Sequence, residues 1–291
     1  MNEKSVSLEQ KRSPGKLVLP SLVLSNFATS PSAVIIGLLL VDIGSTFSVP
    51  VGVAGQIRTV GMVLGVVVAL FMGILSVRFK HRSLLMMGLL FTIISALGCG
   101  YATIFGIMLV SYSMSGLGSA MSSPMAYTLV GEHLPQEKRP SAIGWIVAGM
   151  AISHVVGAPV TGFIAGFGGW RMAFLGYALP VSLLASLLAA KGLPSISSGH
   201  QSGMSVRDYF GAFKGVFSSR SANGCLAGTA LSGAAWMAIL VYGASFFRQQ
   251  FLMATGLVSV LSIGTALCYT SGSLVAGRLV RRFGRKLLTV L

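Results

Sequence analysis

The chain has 291 residues, of which 54% are hydrophobic and only 9% charged, with a mean hydropathy of +0.82. A water-facing surface carries roughly 25% charge, so a soluble enzyme is excluded. Lys and Arg number 21 against 6 Asp and Glu, a net charge of +15; in a soluble protein that balance points to nucleic acid, but the apolar content excludes that partner too.

The first 16 residues are polar and basic, the composition of a cytoplasmic tail. Eight apolar runs of membrane-crossing length follow, at 17–41, 51–77, 83–101, 103–130, 142–165, 172–190, 222–247 and 256–280. The first is too long for the apolar core of a signal peptide and lacks a small-residue cleavage site, so it is retained as a span. It carries Asn26, and Asp42 stands at its outer end. Span two carries Arg58, span four Tyr112, span five His154 and span seven Trp236. Between spans six and seven lies a polar interval, 191–221, with the composition of a cytoplasmic linker. Inside it Val206, Tyr209, Phe210, Phe213 and Phe217 recur at helical spacing opposite Arg207 and Lys214, which fits either an amphipathic helix on the inner leaflet or a connector packed on the spans. A ninth apolar run begins at Leu287.

With the N-terminus placed in the cytoplasm, 18 of the 21 basic residues fall in the tail or in even-numbered loops, leaving Arg58, Arg171 and Arg248 toward the outer side. The positive-inside rule selects that orientation. Cys99, Cys225 and Cys268 all sit in apolar runs without metal-ligand spacing. There is no H-E-x-x-H and no phosphate-binding glycine loop, so neither a metal, a cofactor, a catalytic site nor a nucleotide-driven pump is expected.

A shift of 204 positions lays Gly73, Leu75, Arg78, Phe79, Arg82 and Leu84 over Gly277, Leu279, Arg282, Phe283, Lys286 and Leu288. Weak internal symmetry of this kind is common in transporters built from two bundles. With these segments the sequence resembles the major facilitator superfamily of secondary transporters, most like its drug and metabolite exporters. The family's loop between spans two and three, G-x-x-x-D-R-x-G-R-K, is met here by GILSVRFKHR through Gly73, Arg78 and Arg82, with Val77 in place of the acid. The second copy, GRLVRRFGRK, keeps Gly277, Arg282, Gly284, Arg285 and Lys286. The resemblance implies that this loop stabilises one gate of an alternating-access cycle. Pro135 and Arg139 resemble the family's turn between spans four and five, and Trp170, Arg171 and Phe174 its Trp-Arg-x-x-Phe signature. Its antiporter pattern in span five is met through Pro159 and Gly162, read as helix-packing residues, while His154, Ala158 and Phe163 occupy glycine positions. The arginine that the family often uses in span four is absent, with Tyr112 in its place.

Charged side chains inside spans are costly without a partner or a wet cavity, which makes them functional candidates. Asp42 is the expected ion-pair partner of Arg58 and a titratable carboxylate for proton coupling, against the alternative of a static pair holding spans one and two. His154 could carry a proton in the working pH range, or simply bond a neighbouring helix. Asn26, Tyr112 and Trp236 lie on spans that the resemblance places around the central cavity. The pairs Gly61/Gly65 and Gly162/Gly166 are read as close helix contacts.

The expectation is an all-α polytopic membrane bundle in four parts. These are a tail (1–16), a six-span bundle (17–190), a linker (191–221) and a partial second bundle of two spans and the start of a third (222–291). The family has twelve spans, so the chain reads as truncated, or as completed by a second chain. The function expected is secondary active transport of small organic solutes, with efflux of drugs or hydrophobic metabolites favoured and protons the candidate coupling ion, in the plasma or inner membrane. The partners are then the lipid bilayer and a small-molecule substrate. The rival reading is a non-transporting membrane sensor or assembly protein.

Overall fold

The computed structural model describes residues 17–194 and 218–265, together with 268. All regular structure among the described residues is helical. Span one is Val18–Thr46, made of two helices, Val18–Phe27 and Pro31–Thr46. Proline cannot donate a backbone hydrogen bond but suits the first turn of a new helix, so the chain breaks before Pro31 and restarts with Ala33 and Val34 bonded to the Ser30 carbonyl. Span two is Val51–Arg78, span three His81–Gly100 and span four Phe105–His133. Arg139–Ala173 contains all of span five and the start of span six. The two are separated where Gly168 and Gly169 leave helical geometry, Gly169 at φ +69°. A positive φ is strained for any residue with a β-carbon, so glycine fits this reversal. Span six then passes through one π turn, Phe174–Ala178, into Leu179–Gly192. Span seven is Arg220–Gln250, and span eight begins as Thr255–Thr265.

Among the described residues, five helical stretches are long and apolar enough to cross a membrane; one of them, Gln136–Gly192, is 57 residues and contains both span five and span six. Span four has the length at 29 residues, but its faces carry Ser and Gly because it is the central packing element. Its most extensive contacts are with spans three and two. Lipid tails are as apolar as leucine, so spans associate through close backbone approach at small residues rather than through hydrophobicity. At the crossing of spans two and four, a β-carbon on Gly116 would stand 1.8 Å from the Gly61 carbonyl oxygen. At the crossing of spans three and four, one on Gly118 would stand 2.6 Å from the Gly88 carbonyl oxygen. Gly65 faces Gly116 in the same seam, as the G-x-x-x-G spacing predicts. Gly166 does not follow: nothing lies within 4 Å of a β-carbon there, because it nears the reversal at the end of span five.

Apolar packing forms two layers along the bundle. One, toward the Asp42 end, gathers Ile35, Leu39, Ile43, Ile57, Met108 and Phe174. The other, toward the Lys80 end, gathers Leu22, Leu84, Leu89, Met121, Met125 and Leu129. Span seven packs on Pro31–Thr46 of span one through its later half, where Val241 and Ser245 are buried. Its first half diverges, and residues 223–235 are all exposed.

Candidate functional site

The polar groups of interest lie where spans one and two meet span seven and where span one meets spans four and five. At one end Asp42 and Arg248 form a bidentate pair: Arg248 Nη1 reaches Asp42 Oδ2, and Nη2 donates to Oδ1 at 2.8 Å. A guanidinium fork matched to a carboxylate is stronger than a single charged contact. The turn carrying Asp42 is fixed by its own hydroxyls, with Ser45 and Thr46 donating to the Asp42 carbonyl at 2.9 and 2.7 Å. Trp170 Nε1 donates to Thr46 Oγ1 at 3.0 Å, and the Trp170 ring packs on Phe47 and Phe174. Arg171 lies 4.2 Å over that ring and donates to the Ala102 carbonyl at 2.9 Å, closing the end of span three. The Trp-Arg-x-x-Phe segment therefore welds spans one, three and six. A cleft of about 460 Å³ opens here, bordered by Asp42, Thr46, Gly162, Trp170, Arg171 and Thr255 among others.

The Asp42 pairing corrects the sequence reading, which joined it to Arg58. Asp42 sits on the last turn of span one beside span seven, whose own last turn presents Arg248 at the same depth. Arg58 instead points into the bundle, 8% exposed. Its Nη1 donates to the Tyr112 hydroxyl at 3.2 Å, and its Nη2 lies 3.5 Å from the Met237 sulfur. Tyr112, on span four, is itself buried. Trp236 is half-buried on span seven beside Met237.

Spans two and seven touch tightly near these residues. A β-carbon on Gly55 would stand 2.0 Å from the Tyr242 hydroxyl, and one on Gly37 of span one would stand 2.5 Å from the Leu240 carbonyl oxygen. Gly162 faces Ser259 at the start of span eight, 3.1 Å from a β-carbon built on it. Pro159 lies within the helix one turn away.

Asn26 is 1% exposed and works as a clasp between spans. Its amide nitrogen donates to the Ile146 carbonyl at 3.3 Å, and its carbonyl accepts from Ser123 Oγ at 2.9 Å. Both ends of the side chain are thus engaged within the bundle, on spans five and four. His154 is half-buried; its Nδ1 is 3.0 Å from the Met150 carbonyl in its own helix, and its ring is within electrostatic reach of Arg58.

At the opposite end, Arg82 donates to the Ala190 carbonyl at 2.7 Å, placing a cation at the end of span six, where a helix terminus favours positive charge. His81 Nδ1 meets Glu132 Oε1 at 2.5 Å, tying span three to span four. Arg139 Nε donates to the Leu134 carbonyl at 3.0 Å. Arg78 is exposed and Gly73 half-buried. His81 replaces a basic residue of the family loop, and its link to Glu132 was not legible from the loop alone. Gly277, Arg282, Gly284, Arg285 and Lys286 lie outside the described residues, as does most of the linker with its amphipathic spacing.

A sequence profile described as Major Facilitator Superfamily matches residues 22–291. The chain belongs to the Major Facilitator Superfamily. Among relatives of this family, the uncharacterized MFS-type transporter YtbD of Bacillus subtilis is 25% identical over 268 residues, covering 91% of this chain and 65% of its own. The uncharacterized MFS-type transporter YwfA of the same organism is 27% identical over 158 residues, 54% of this chain and 38% of its own. The purine ribonucleoside efflux pump NepI of Salmonella typhimurium is 26% identical over 158 residues, 54% of this chain and 40% of its own. The chain thus spans between about two-fifths and two-thirds of these relatives. In structure it resembles a bacterial homolog of the human lysosomal transporter Spinster, inward-facing and unoccupied, with a TM-score of 0.70 at 18% identity, covering 91% of this chain and 63% of that one. It also resembles the xylose transporter XylE of E. coli in a partially occluded inward-open conformation, with a TM-score of 0.66 at 16% identity, covering 95% of this chain and 75% of that one. The fold is that of this superfamily, whose members are multi-pass membrane transporters and not enzymes.

Proposed function

We propose that this chain forms the first bundle and part of the second in a secondary carrier for small organic solutes, working by alternating access. The observation that supports it best is the two-ended behaviour of span seven. At the Asp42 end it is locked to span one by the Arg248 pair and by close packing at Gly37; over 223–235 it stands away from the first bundle. A seam closed at one end and open at the other is what one limb of a rocking cycle requires. The loop cations support a cytoplasmic Lys80 end, and in this reading the limb is the inward-open one, in the plasma or inner membrane. The exposed face of span seven is then where further spans of the carrier pack.

Efflux is the favoured direction, in keeping with the relatives named for it, NepI of Salmonella typhimurium and a probable sugar efflux transporter of Pasteurella multocida. Protons are the coupling ion in this reading. Protonation of Asp42 cancels the charge that holds Arg248 and loosens the closed end, and His154 supplies a second titratable site near Arg58. The test is flux in inverted vesicles with a purine ribonucleoside, xylose, ethidium and the anion benzoate, with and without an imposed proton gradient. Gradient-dependent flux of one or more of these is expected. Flux of none would remove the carrier reading, and gradient-driven flux that survives Asp42→Asn combined with His154→Ala would remove proton coupling through these residues.

A further inference from the structure

Arg58 is a buried cation with no carboxylate against it among the described residues. A guanidinium has five N–H donors and stays charged at any working pH. Here Nη1 has the Tyr112 hydroxyl at 3.2 Å, Nη2 has only the Met237 thioether at 3.5 Å, a weak acceptor, and the buried Nε has no acceptor among the described residues. The Tyr112 hydroxyl accepts from Arg58, and its own proton is given to no acceptor among the described residues.

The six acids of the sequence are Glu3, Glu9, Asp42, Glu132, Glu137 and Asp208. Glu3 and Glu9 are in the tail, Asp208 in the linker and Glu137 in the loop between spans four and five. Glu132 meets His81, and Asp42 is held by Arg248. A buried charge without a counter-charge is strongly unfavourable, and none of the described acids, Asp42, Glu132 or Glu137, supplies one.

The position of Arg58 gives such a group a route. It lies where spans two and seven converge, one turn from the Gly55–Tyr242 contact. Toward the Lys80 end of the same two spans, Val63 and Val66 on one side and 223–235 on the other are exposed.

We propose that Arg58 is the anchor for an oxyanion, a carboxylate or phosphate group, that enters between spans two and seven. Arg58 Nε and Nη2 and the Tyr112 O–H are its donors, with the oxyanion replacing Met237 as the partner of Nη2. The inference rests on the carrier reading for the claim that the bound group belongs to a transported solute; the binding itself stands apart from it.

Purified full-length chain in detergent is titrated with benzoate, phenyl phosphate, benzamide and benzylammonium, which share a ring and differ in charge, and with inorganic phosphate and chloride. Thermal unfolding is the readout. Benzoate or phenyl phosphate is expected to raise the midpoint saturably while benzamide and benzylammonium do not. Arg58→Gln is expected to weaken that binding on the order of tenfold or more, and Tyr112→Phe to weaken it less. An equal response to benzamide, an unchanged response in Arg58→Gln, or no response to any oxyanion overturns the proposal. Should Arg58→Gln not fold, Arg58→Lys carries the test: it keeps the charge and loses the fork, so unchanged affinity there overturns it as well. A shift with inorganic phosphate alone assigns the anchor to the free ion, one with benzoate or phenyl phosphate alone assigns it to an organic acid, and both uphold the anchor; a shift with chloride alone overturns it. Flux of xylose or a ribonucleoside without any oxyanion response sinks the anchor and leaves the carrier reading; oxyanion binding without flux of any solute does the reverse.

Discussion

Two arginines beside span seven have opposite fates. Arg248 meets a carboxylate and joins two spans 206 positions apart, while Arg58 is buried against a phenol and a thioether. The first arrangement makes a testable latch. Because Asp42 is more than a third exposed, the pair is worth only about 1 kcal/mol, roughly a fivefold change in the balance of two states. Asp42→Asn is expected to shift the molecule by that amount away from closure at this end. Spin labels on the ends of spans one and seven, read by pulsed dipolar spectroscopy, would show a longer-distance population grow. Exchanging the charges, Asp42→Arg with Arg248→Asp, is expected to restore the short distance, and failure to do so would leave the pair no role in closure. The sequence contained the ingredients of this latch: one acid at that end and cations at Arg58 and Arg248. What it lacked was the azimuth of each side chain about its helix. In a span that is apolar nearly all round, periodicity does not set that azimuth; packing does, and Asp42 turns toward span seven, not span two.

At the scale of the helix, length and polarity were legible and crossing points only partly so. A run of some twenty apolar residues announces itself because the bilayer imposes one dimension on every span. Close approach between two spans depends instead on which glycines face each other. Gly61, Gly65 and Gly116 do; Gly166, with identical spacing to Gly162, does not. Replacing Gly116 by Ala drives a methyl group into the Gly61 main chain, which no rotamer change relieves, and is expected to cost about 1–3 kcal/mol, as other overpacked sites do. Gly144→Ala, on span five with nothing within 4 Å, is expected to be neutral or stabilising by about 0.5–1 kcal/mol, since alanine is the better helix former. Melting curves in detergent read both. Equal effects at the two sites would mean that the crossing of spans two and four tolerates separation.

For the whole molecule, composition alone separated a membrane protein from a soluble one, and the loop cations give an expected orientation that the helices themselves do not carry. That orientation predicts the accessible side of every loop. With the buried Cys99 retained and Cys225 and Cys268 replaced by Ser, a membrane-impermeant maleimide added to intact cells is expected to label Ser45→Cys and to leave Lys80→Cys untouched until the membrane is opened. The reverse pattern would invert the topology and, with it, the assignment of the open end. The clasp at Asn26 shows the limit of sequence at this scale. A polar residue in a span marks either a cavity or a joint, and only its partners on spans four and five identify this one as a joint.

The reversal at Gly168 and Gly169 bears on how the protein can be handled. Two residues without side chains turn one rod into the next, and Trp170 and Arg171 immediately beyond are tied to spans one and three. There is no slack there to take up an inserted epitope, a fluorescent tag or a protease site. Such an insertion is expected to pull Trp170 out of its aromatic cluster and to disturb three spans at once. A marker for this face of the molecule belongs instead near Thr103, between spans three and four, where the chain is exposed and outside both helices.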